Sequence, residues 1–211
     1  MQLGPVSGVG GRVPAMTDPG PKAHLHRYLQ IAREALLWKL DGLGEYDVRR
    51  PMTPTGTNLL GLLKHLAYVE MGYFGPTFGR PVPEVDPWIQ DDIEPNADMW
   101  ATPEESREDV LALYRRAWAV TDATVEELPL DAPGSVPWWA PEKQAVTLHQ
   151  ILVHVIAETN RHAGHADIVR ELVDGASGLS SGNDNLPDDV DASWWGSYRE
   201  RLETAARQAA T

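Results

Sequence analysis

The amino-acid sequence predicts an all-α fold, a four-helix bundle with one long crossover and an extra C-terminal helix. Four long segments carry apolar residues at the helical period of about 3.6 residues, and no segment shows a convincing strand pattern. Two connections between these segments are short, whereas residues 75–103 form a long one that is rich in proline. Helices joined in this way bury their apolar faces against one another in a bundle.

The first two helices have clear stop and start signals. The first is predicted over residues 22–43 and is stopped by Gly42 and Gly44. The second begins at Thr57 or Asn58, which are both favourable N-cap residues, and continues to about Phe74. Its residues are apolar on nearly every side, so we expect it to be largely buried.

The third and fourth helices are also defined by caps. The third is expected to begin after Thr102 as N-cap and to end near Leu128. The fourth begins after Thr147 and is closed by Gly175, a residue type that ends many helices. A shorter last helix is predicted over about residues 191–209.

These elements divide the chain into three parts. Residues 1–20 are rich in glycine and proline without periodicity, and we expect a disordered extension there. Residues 21–178 are predicted to form the bundle, and residues 179–211 a loop and helix that pack on it. Translation could begin at Met1 or at Met16, and the sequence leaves both starts open.

Composition limits the possible functions of the protein. The chain has 211 residues and no cysteine, which excludes disulfides, thiolate ligands and cysteine nucleophiles. A formal charge of −13 argues against nucleic acid or an anionic membrane as partner. No apolar run reaches the roughly 18 residues of a membrane span, and no signal peptide is evident. We therefore expect a cytoplasmic protein that binds neither nucleic acid nor a membrane.

The fourth helix carries a stripe of potential metal ligands. At about 100° per residue, His154, Glu158, His162 and His165 fall on one helix face. The stripe is about 16 Å long, which is too long for a single site. Neighbouring pairs within it could each supply two ligands, and a solvated polar face with a few histidines would give the same pattern.

A third ligand is available on the second helix. His65 lies in the middle of an apolar run, where its ring nitrogens need partners. A structural hydrogen bond would satisfy it, but beside Glu158 and His162 it becomes the third ligand of a metal site. Glu70 lies about 140° further round the helix and so does not share this face.

Tryptophans mark the two connections that flank the second and third helices. Trp88 and Trp100 suggest that the crossover packs on the bundle, and its many acidic residues are interpreted as a solvated surface. Trp138 and Trp139, set between prolines, are expected to form an apolar wall or lid.

Two segments, residues 36–75 and 146–175, resemble the DinB-like superfamily, and the resemblance extends over about residues 22–178. The motif is a helix-borne histidine followed by Glu-x-x-x-His-x-x-His-x-Asp and Arg-Glu. The resemblance implies a four-helix bundle, a homodimer, and a divalent metal, zinc or else nickel, held by three residues. Many members use three histidines, whereas the related mycothiol-dependent maleylpyruvate isomerase uses a His, Glu and His set. That set corresponds here to His65, Glu158 and His162, with His154 as the alternative to Glu158.

The resemblance also implies a chemistry. Characterised relatives are metal-dependent transferases that use a low-molecular-weight thiol such as mycothiol or bacillithiol. A metal with three protein ligands keeps a position open for such a thiol and favours its thiolate. His165 would then be the catalytic proton carrier or would orient His162. Arg161 and Arg170 could bind an anionic substrate or the sugar of the thiol, although Asp167 and Arg170 also suit helix-to-helix pairing.

Three functions remain open at this point. The first is a metal-dependent thiol S-transferase that acts on a small electrophile. The second is a metal-binding scaffold or stress-linked binding protein without catalysis. The third is a metal-dependent hydrolase, with water in place of the thiol.

Overall fold

The computed structural model describes residues 18–89 and 93–210. Most of the extension expected at residues 1–20 therefore lies outside the described residues. Within them the chain is almost entirely helical, which confirms the predicted all-α fold. The α-helices are α1 Pro21–Trp38, α2 Glu45–Arg49, α3 Leu59–Phe74, α4 Asp86–Ile89, α5 Arg107–Glu127, α6 Leu148–Asp174 and α7 Ala192–Ala209.

The four long helices α1, α3, α5 and α6 form the bundle. Helix α3 packs against both α5 and α6, and α1 packs against α6. As its composition predicts, α3 is buried on nearly every side. This central position places the one histidine of α3 against the polar stripe of α6.

The caps of α3 and α6 agree with the sequence. The side chain of Asn58 accepts a hydrogen bond from the Gly61 N–H at 2.7 Å. Thr147 accepts one from the Gln150 N–H at 3.3 Å, and Gly175 ends α6 with a φ of 83°, in the left-handed region. Glycine adopts that region without the steric cost that a Cβ would add.

Two predicted boundaries were wrong. Helix α1 ends at Trp38 rather than at residue 43, because the chain turns through Gly42, whose φ is 75°, and then forms α2. Helix α5 is capped by Ser106 rather than Thr102. Ser106 accepts from the N–H of Asp109 and donates its own N–H to the Asp109 carboxylate, so the pair forms a capping box.

A small sheet was also missed. Strands β1 Pro133–Ser135 and β2 Ala145–Thr147 pair antiparallel and bring the start of α6 back beside the end of α5. Strands of three residues are too short to show an alternating pattern of apolar and polar residues.

The segment after α6 is fastened to the bundle at Gly178. Its carbonyl accepts hydrogen bonds from Trp38 Nε1 at 3.1 Å and from the buried Lys39 ammonium. Beyond it, none of the residues of α7 is buried. The division of the chain near residue 178 stays a prediction.

Among the described helices, none combines the length and the apolar character that crossing a membrane requires.

Candidate metal centre

His65, Glu158 and His162 come together where α3 packs against α6. Oε1 of Glu158 lies 3.0 Å from Nε2 of His162 and 3.8 Å from Nε2 of His65. The two imidazole rings are 4.8 Å apart between centroids. Spacing of four residues on α6 stacks Glu158 and His162 on one face, and the packing of α3 supplies His65.

The three side chains fit a divalent metal. Nε2 of His65 is buried and has no hydrogen-bond partner among the described residues. Tetrahedral ligands about 2.1 Å from a zinc would lie about 3.4 Å from each other, and the two measured separations fall on either side of that value. One ligand atom from each residue can be chosen so that all lie within 4.8 Å of one another. Two imidazoles and a carboxylate are a donor set that zinc and nickel accept.

Asp98 fixes the orientation of the His65 ring. Nδ1 of His65 lies 2.6 Å from Oδ2 of Asp98. Burial alone would raise the pKa of Asp98, but the hydrogen bond and charge of His65, with smaller help from Lys64, lower it below its ordinary value. An ionised carboxylate only accepts, so Nδ1 donates, and in the neutral ring Nε2 offers its lone pair towards Glu158.

Sequence reasoning missed Asp98 because it interpreted the acidic residues of the crossover as a solvated surface. Asp98 sits in a 3₁₀ turn, Ala97–Met99, that is held against α3. Nζ of Lys64 donates to the first carbonyl of this turn at 3.0 Å, and the amide of Asn58 donates to the last at 3.1 Å. A Cβ on Gly61 would lie 1.8 Å from that last carbonyl oxygen, so the close approach requires glycine there.

The surroundings of His162 and Glu158 shift the pKa of each group towards the protonation state that binds a metal. Burial, and second the electrostatic effect of the neighbouring His65 ring, lower the pKa of His162, and together they outweigh the opposite effect of Glu158. Burial alone would raise the pKa of Glu158, but its hydrogen bond to His162 and the charges of both histidines and Arg161 lower it. Neutral imidazole and ionised carboxylate are the protonation states in which these groups bind metal.

A cavity of about 530 Å³ opens beside the cluster and is lined by two of its three side chains, His65 and Glu158. Its size is in the range of about 300–1,000 Å³ that is usual for small-molecule sites. Of the two tryptophans expected to form an apolar wall, Trp138 lines the cavity, whereas Trp139 does not and donates from Nε1 to the Tyr73 hydroxyl at 3.1 Å. The lining residues are His65, Tyr68, Val69, Gly72, Tyr73, Val85, Trp88, Ile89, Asp98, Trp138, His154 and Glu158.

The sequence profile of the MST family, mycothiol-S-transferase, matches residues 24–175. This stretch is well over half of the chain and contains His65, Glu158 and His162. The chain belongs to the mycothiol-S-transferase family. The match confirms the resemblance to the DinB-like superfamily and places the protein among its mycothiol-related transferases. A comparison with curated proteins gives no match.

The other two histidines of the α6 stripe, His165 and His154, have neighbours that differ from each other. Nδ1 of His165 lies 3.3 Å from Nδ1 of His162. His165 therefore contacts the nitrogen of His162 that is not the one near Glu158. His154 lines the cavity, but its ring contacts within the described residues are not with the three side chains of the cluster. Its ring packs edge-on against Tyr73 and Trp139, with centroids 4.8 and 5.3 Å away.

Arg170 and Arg161, the two arginines expected to bind an anionic substrate or the thiol, differ in their contacts and exposure. The guanidinium of Arg170 binds the carboxylate of Asp174 at 2.7 Å, and it donates to the carbonyls of Lys39 and Asp41 at 2.7 and 2.9 Å. These contacts tie α6 to the turn after α1. Arg161 is exposed and close enough to Glu158 to lower its pKa.

Proposed function

We propose that this mycothiol-S-transferase family member is a metal-dependent enzyme that activates mycothiol, or a similar thiol such as bacillithiol, for attack on a small electrophile. The observation that carries the proposal is the buried, unpartnered Nε2 of His65, which faces Glu158 and His162 at the edge of a cavity. Zinc is the metal that we propose, with nickel as the alternative.

In this proposal His65, Glu158 and His162 hold the metal and leave one position open. A divalent metal bound there would supply the Lewis acidity that lets a coordinating thiol lose its proton at neutral pH. Asp98 keeps the His65 ring in the tautomer that presents Nε2. His165, whose Nδ1 lies 3.3 Å from Nδ1 of His162, is the residue that we assign to orient His162 and, as proton carrier, to accept the thiol proton.

The cavity then holds the second substrate beside the sulfur. Its aromatic walls displace water from the reacting carbon, and the sulfur forms a bond to that carbon as a leaving group departs. In an addition, the neighbouring carbon instead takes the proton from His165. Arg161, exposed near Glu158, is the residue that we propose for the polar part of the thiol, since the donors of Arg170 already bind the bundle.

The first experiment is metal analysis by plasma mass spectrometry on protein purified without added metal or chelator. It is followed by an assay of mycothiol consumption with a panel of electrophiles. We expect about one zinc or nickel per chain and thiol consumption that stops after chelation. His162→Ala should lose the metal, whereas His149→Ala, an exposed histidine in the first turn of the same helix, should keep it.

Other outcomes would favour the other functions. Full metal occupancy with no thiol consumption would favour a non-catalytic metal-binding scaffold. Metal-dependent turnover without any thiol would favour a hydrolase. Protein that contains no metal and takes up none on titration would overturn the proposal. The homodimer implied by the resemblance and the cytoplasmic location expected from the sequence stay predictions, and light scattering tests the first of them.

A further inference from the structure

The cavity beside the candidate metal centre is lined by two carboxylates and by no lysine or arginine among the described residues. The carboxylates are those of Asp98 and Glu158. Two histidines also line the cavity: Nδ1 of His65 lies 2.6 Å from the Asp98 carboxylate, and the ring of His154 packs edge-on against Tyr73 and Trp139. The rest of the lining is aliphatic and aromatic. An anionic ligand would therefore leave water without gaining a lysine or arginine partner inside the cavity, and such a transfer is costly.

Cations near the cavity are held outside it. Lys64 donates to backbone carbonyls of the crossover and lies 2.8 Å from the Glu105 carboxylate. Arg116 binds the Glu84 carboxylate at 2.8 Å. Arg161 acts on Glu158 from the exposed side of α6 and is not part of the lining. Lys64 and Arg116 are thus paired with carboxylates, and Arg161 lies outside the lining.

A bound metal would not reverse this balance. The two positive charges of a divalent ion would be matched by the negative charges of Glu158 and Asp98. A thiolate at the open position would then make the loaded centre negative by about one charge. Both the lining and the loaded centre therefore oppose a second substrate that carries a carboxylate.

The walls have the shape and chemistry for a flat apolar group. Tyr68 and Trp88 are in ring contact at 4.9 Å between centroids, and Tyr73 and Trp138 at 5.2 Å. Gly72 lies between them in the lining, and a Cβ there would lie 3.3 Å from the indole of Trp138. Aromatic faces of this kind favour stacked or edge-on contact with other rings.

We propose that the second substrate of this protein is a neutral, planar, apolar electrophile, and that carboxylate-bearing analogues are excluded by charge. This inference rests on the proposed function, because only an enzyme has a second substrate. The charge selectivity is a property of the cavity and can be measured by binding alone. In the reaction the thiolate sulfur bonds to the electrophilic carbon. The leaving group departs with its electron pair, or in an addition the adjacent carbon takes up the thiol proton.

The test compares two probes that differ in one carboxylate, 1,3-dinitrobenzene and 3,5-dinitrobenzoate. Isothermal titration calorimetry measures their binding to the full-length, metal-free protein, with no thiol present. We expect the neutral probe to bind at least about tenfold more tightly. Equal affinities, tighter binding of the benzoate, or no binding of the neutral probe would overturn the proposal.

Two variants connect the selectivity to the cavity. Trp138→Ala, which removes one wall, should weaken 1,3-dinitrobenzene binding at least about fivefold. The matched control is Trp194→Ala on α7, since that tryptophan is similarly exposed and does not line the cavity, and it should have no effect. Ile89→Lys should raise the affinity for 3,5-dinitrobenzoate, and failure of both variants to change binding would overturn the assignment to this cavity.

This design separates the two proposals. A protein that takes up no zinc and consumes no mycothiol would fail the proposed function, yet its metal-free form would still report the charge selectivity of the cavity. A protein that consumes mycothiol but binds both probes equally would keep the proposed function and lose this inference.

Discussion

Nδ1 of His65 and Oδ2 of Asp98 lie 2.6 Å apart, although the two residues belong to different segments, one to α3 and the other to the crossover that follows it. A carboxylate on the far nitrogen of a histidine fixes the tautomer of the ring and increases the basicity of the nitrogen that faces the metal. Asp98 is therefore a positioning residue, acting on the proposed metal site through His65.

Replacing Asp98 by alanine should weaken zinc binding by about 10–100-fold while the bundle stays folded. The reason is that the His65 ring loses both its orientation and its charged partner. Competition with a chelating dye measures the affinity, and circular dichroism checks the fold. Asp86→Ala, an exposed acid of the same crossover, is the control. Equal affinities in the two variants would show that Asp98 has no part in metal binding.

Gly61 allows the crossover to approach α3, and this makes a second prediction. Gly61→Ala should destabilise the protein by about 1–3 kcal/mol, because its Cβ would lie 1.8 Å from the Met99 carbonyl oxygen. It should also weaken zinc binding, since the turn that carries Asp98 must move. Urea unfolding and the dye competition measure the two effects.

The control for Gly61→Ala is Gly164→Ala in α6, where no atom lies within 4 Å of the added Cβ. That change should stabilise the protein by about 0.5–1 kcal/mol, because alanine loses less backbone entropy than glycine in a helix. If Gly61→Ala is as stable as the wild type and binds zinc equally well, the crossover does not depend on this close contact.

The sequence was sufficient for the parts of the site that depend on local geometry. Glu158 and His162 share a face because they are four residues apart on one helix, and the apolar run around His65 requires that histidine to have a partner. The position of Asp98 depends on tertiary contacts instead. Lys64 and Asn58 hold its turn in place through backbone carbonyls, and the one-dimensional pattern of the crossover contains no sign of these bonds.

The errors in helix boundaries have a similar cause. Thr102 and Ser106 are both acceptable N-caps, and the choice between them depends on which one finds a reciprocal partner. Asp109 completes the capping box with Ser106, whereas the N–H of Thr102 donates to Glu105 in the preceding turn. Propensity alone ranks the two candidates as nearly equal, so the prediction could not separate them.

The pairing of Glu105 with Lys64 should make stability depend on pH. Burial alone would raise the pKa of Glu105, but the hydrogen bond from Lys64 and the Thr102 N–H lower it below its ordinary 4.5. A carboxyl whose pKa is lower in the folded state stabilises the protein above its unfolded pKa. That contribution is lost as the pH falls through the folded value.

Glu105→Gln should therefore lower the free energy of unfolding by about 0.5–1 kcal/mol at pH 7, and the difference from wild type should shrink in acid below about pH 4.5. Urea unfolding at a series of pH values measures this, with the exposed neighbour Glu104→Gln as control. A difference that stays constant across the series would mean that the ion pair is not its source.

The last prediction separates Glu158 from His154, the two candidates on α6 that are one turn apart. Glu158→Gln should remove a ligand and its negative charge, so zinc affinity should fall further than in Asp98→Ala. His154→Ala should leave zinc affinity unchanged, because its ring contacts Tyr73 and Trp139 rather than the cluster. It should instead weaken the binding of 1,3-dinitrobenzene, since that contact supports the cavity wall. Zinc loss in His154→Ala equal to that in Glu158→Gln would show that both side chains serve the metal and that the three-ligand assignment is wrong.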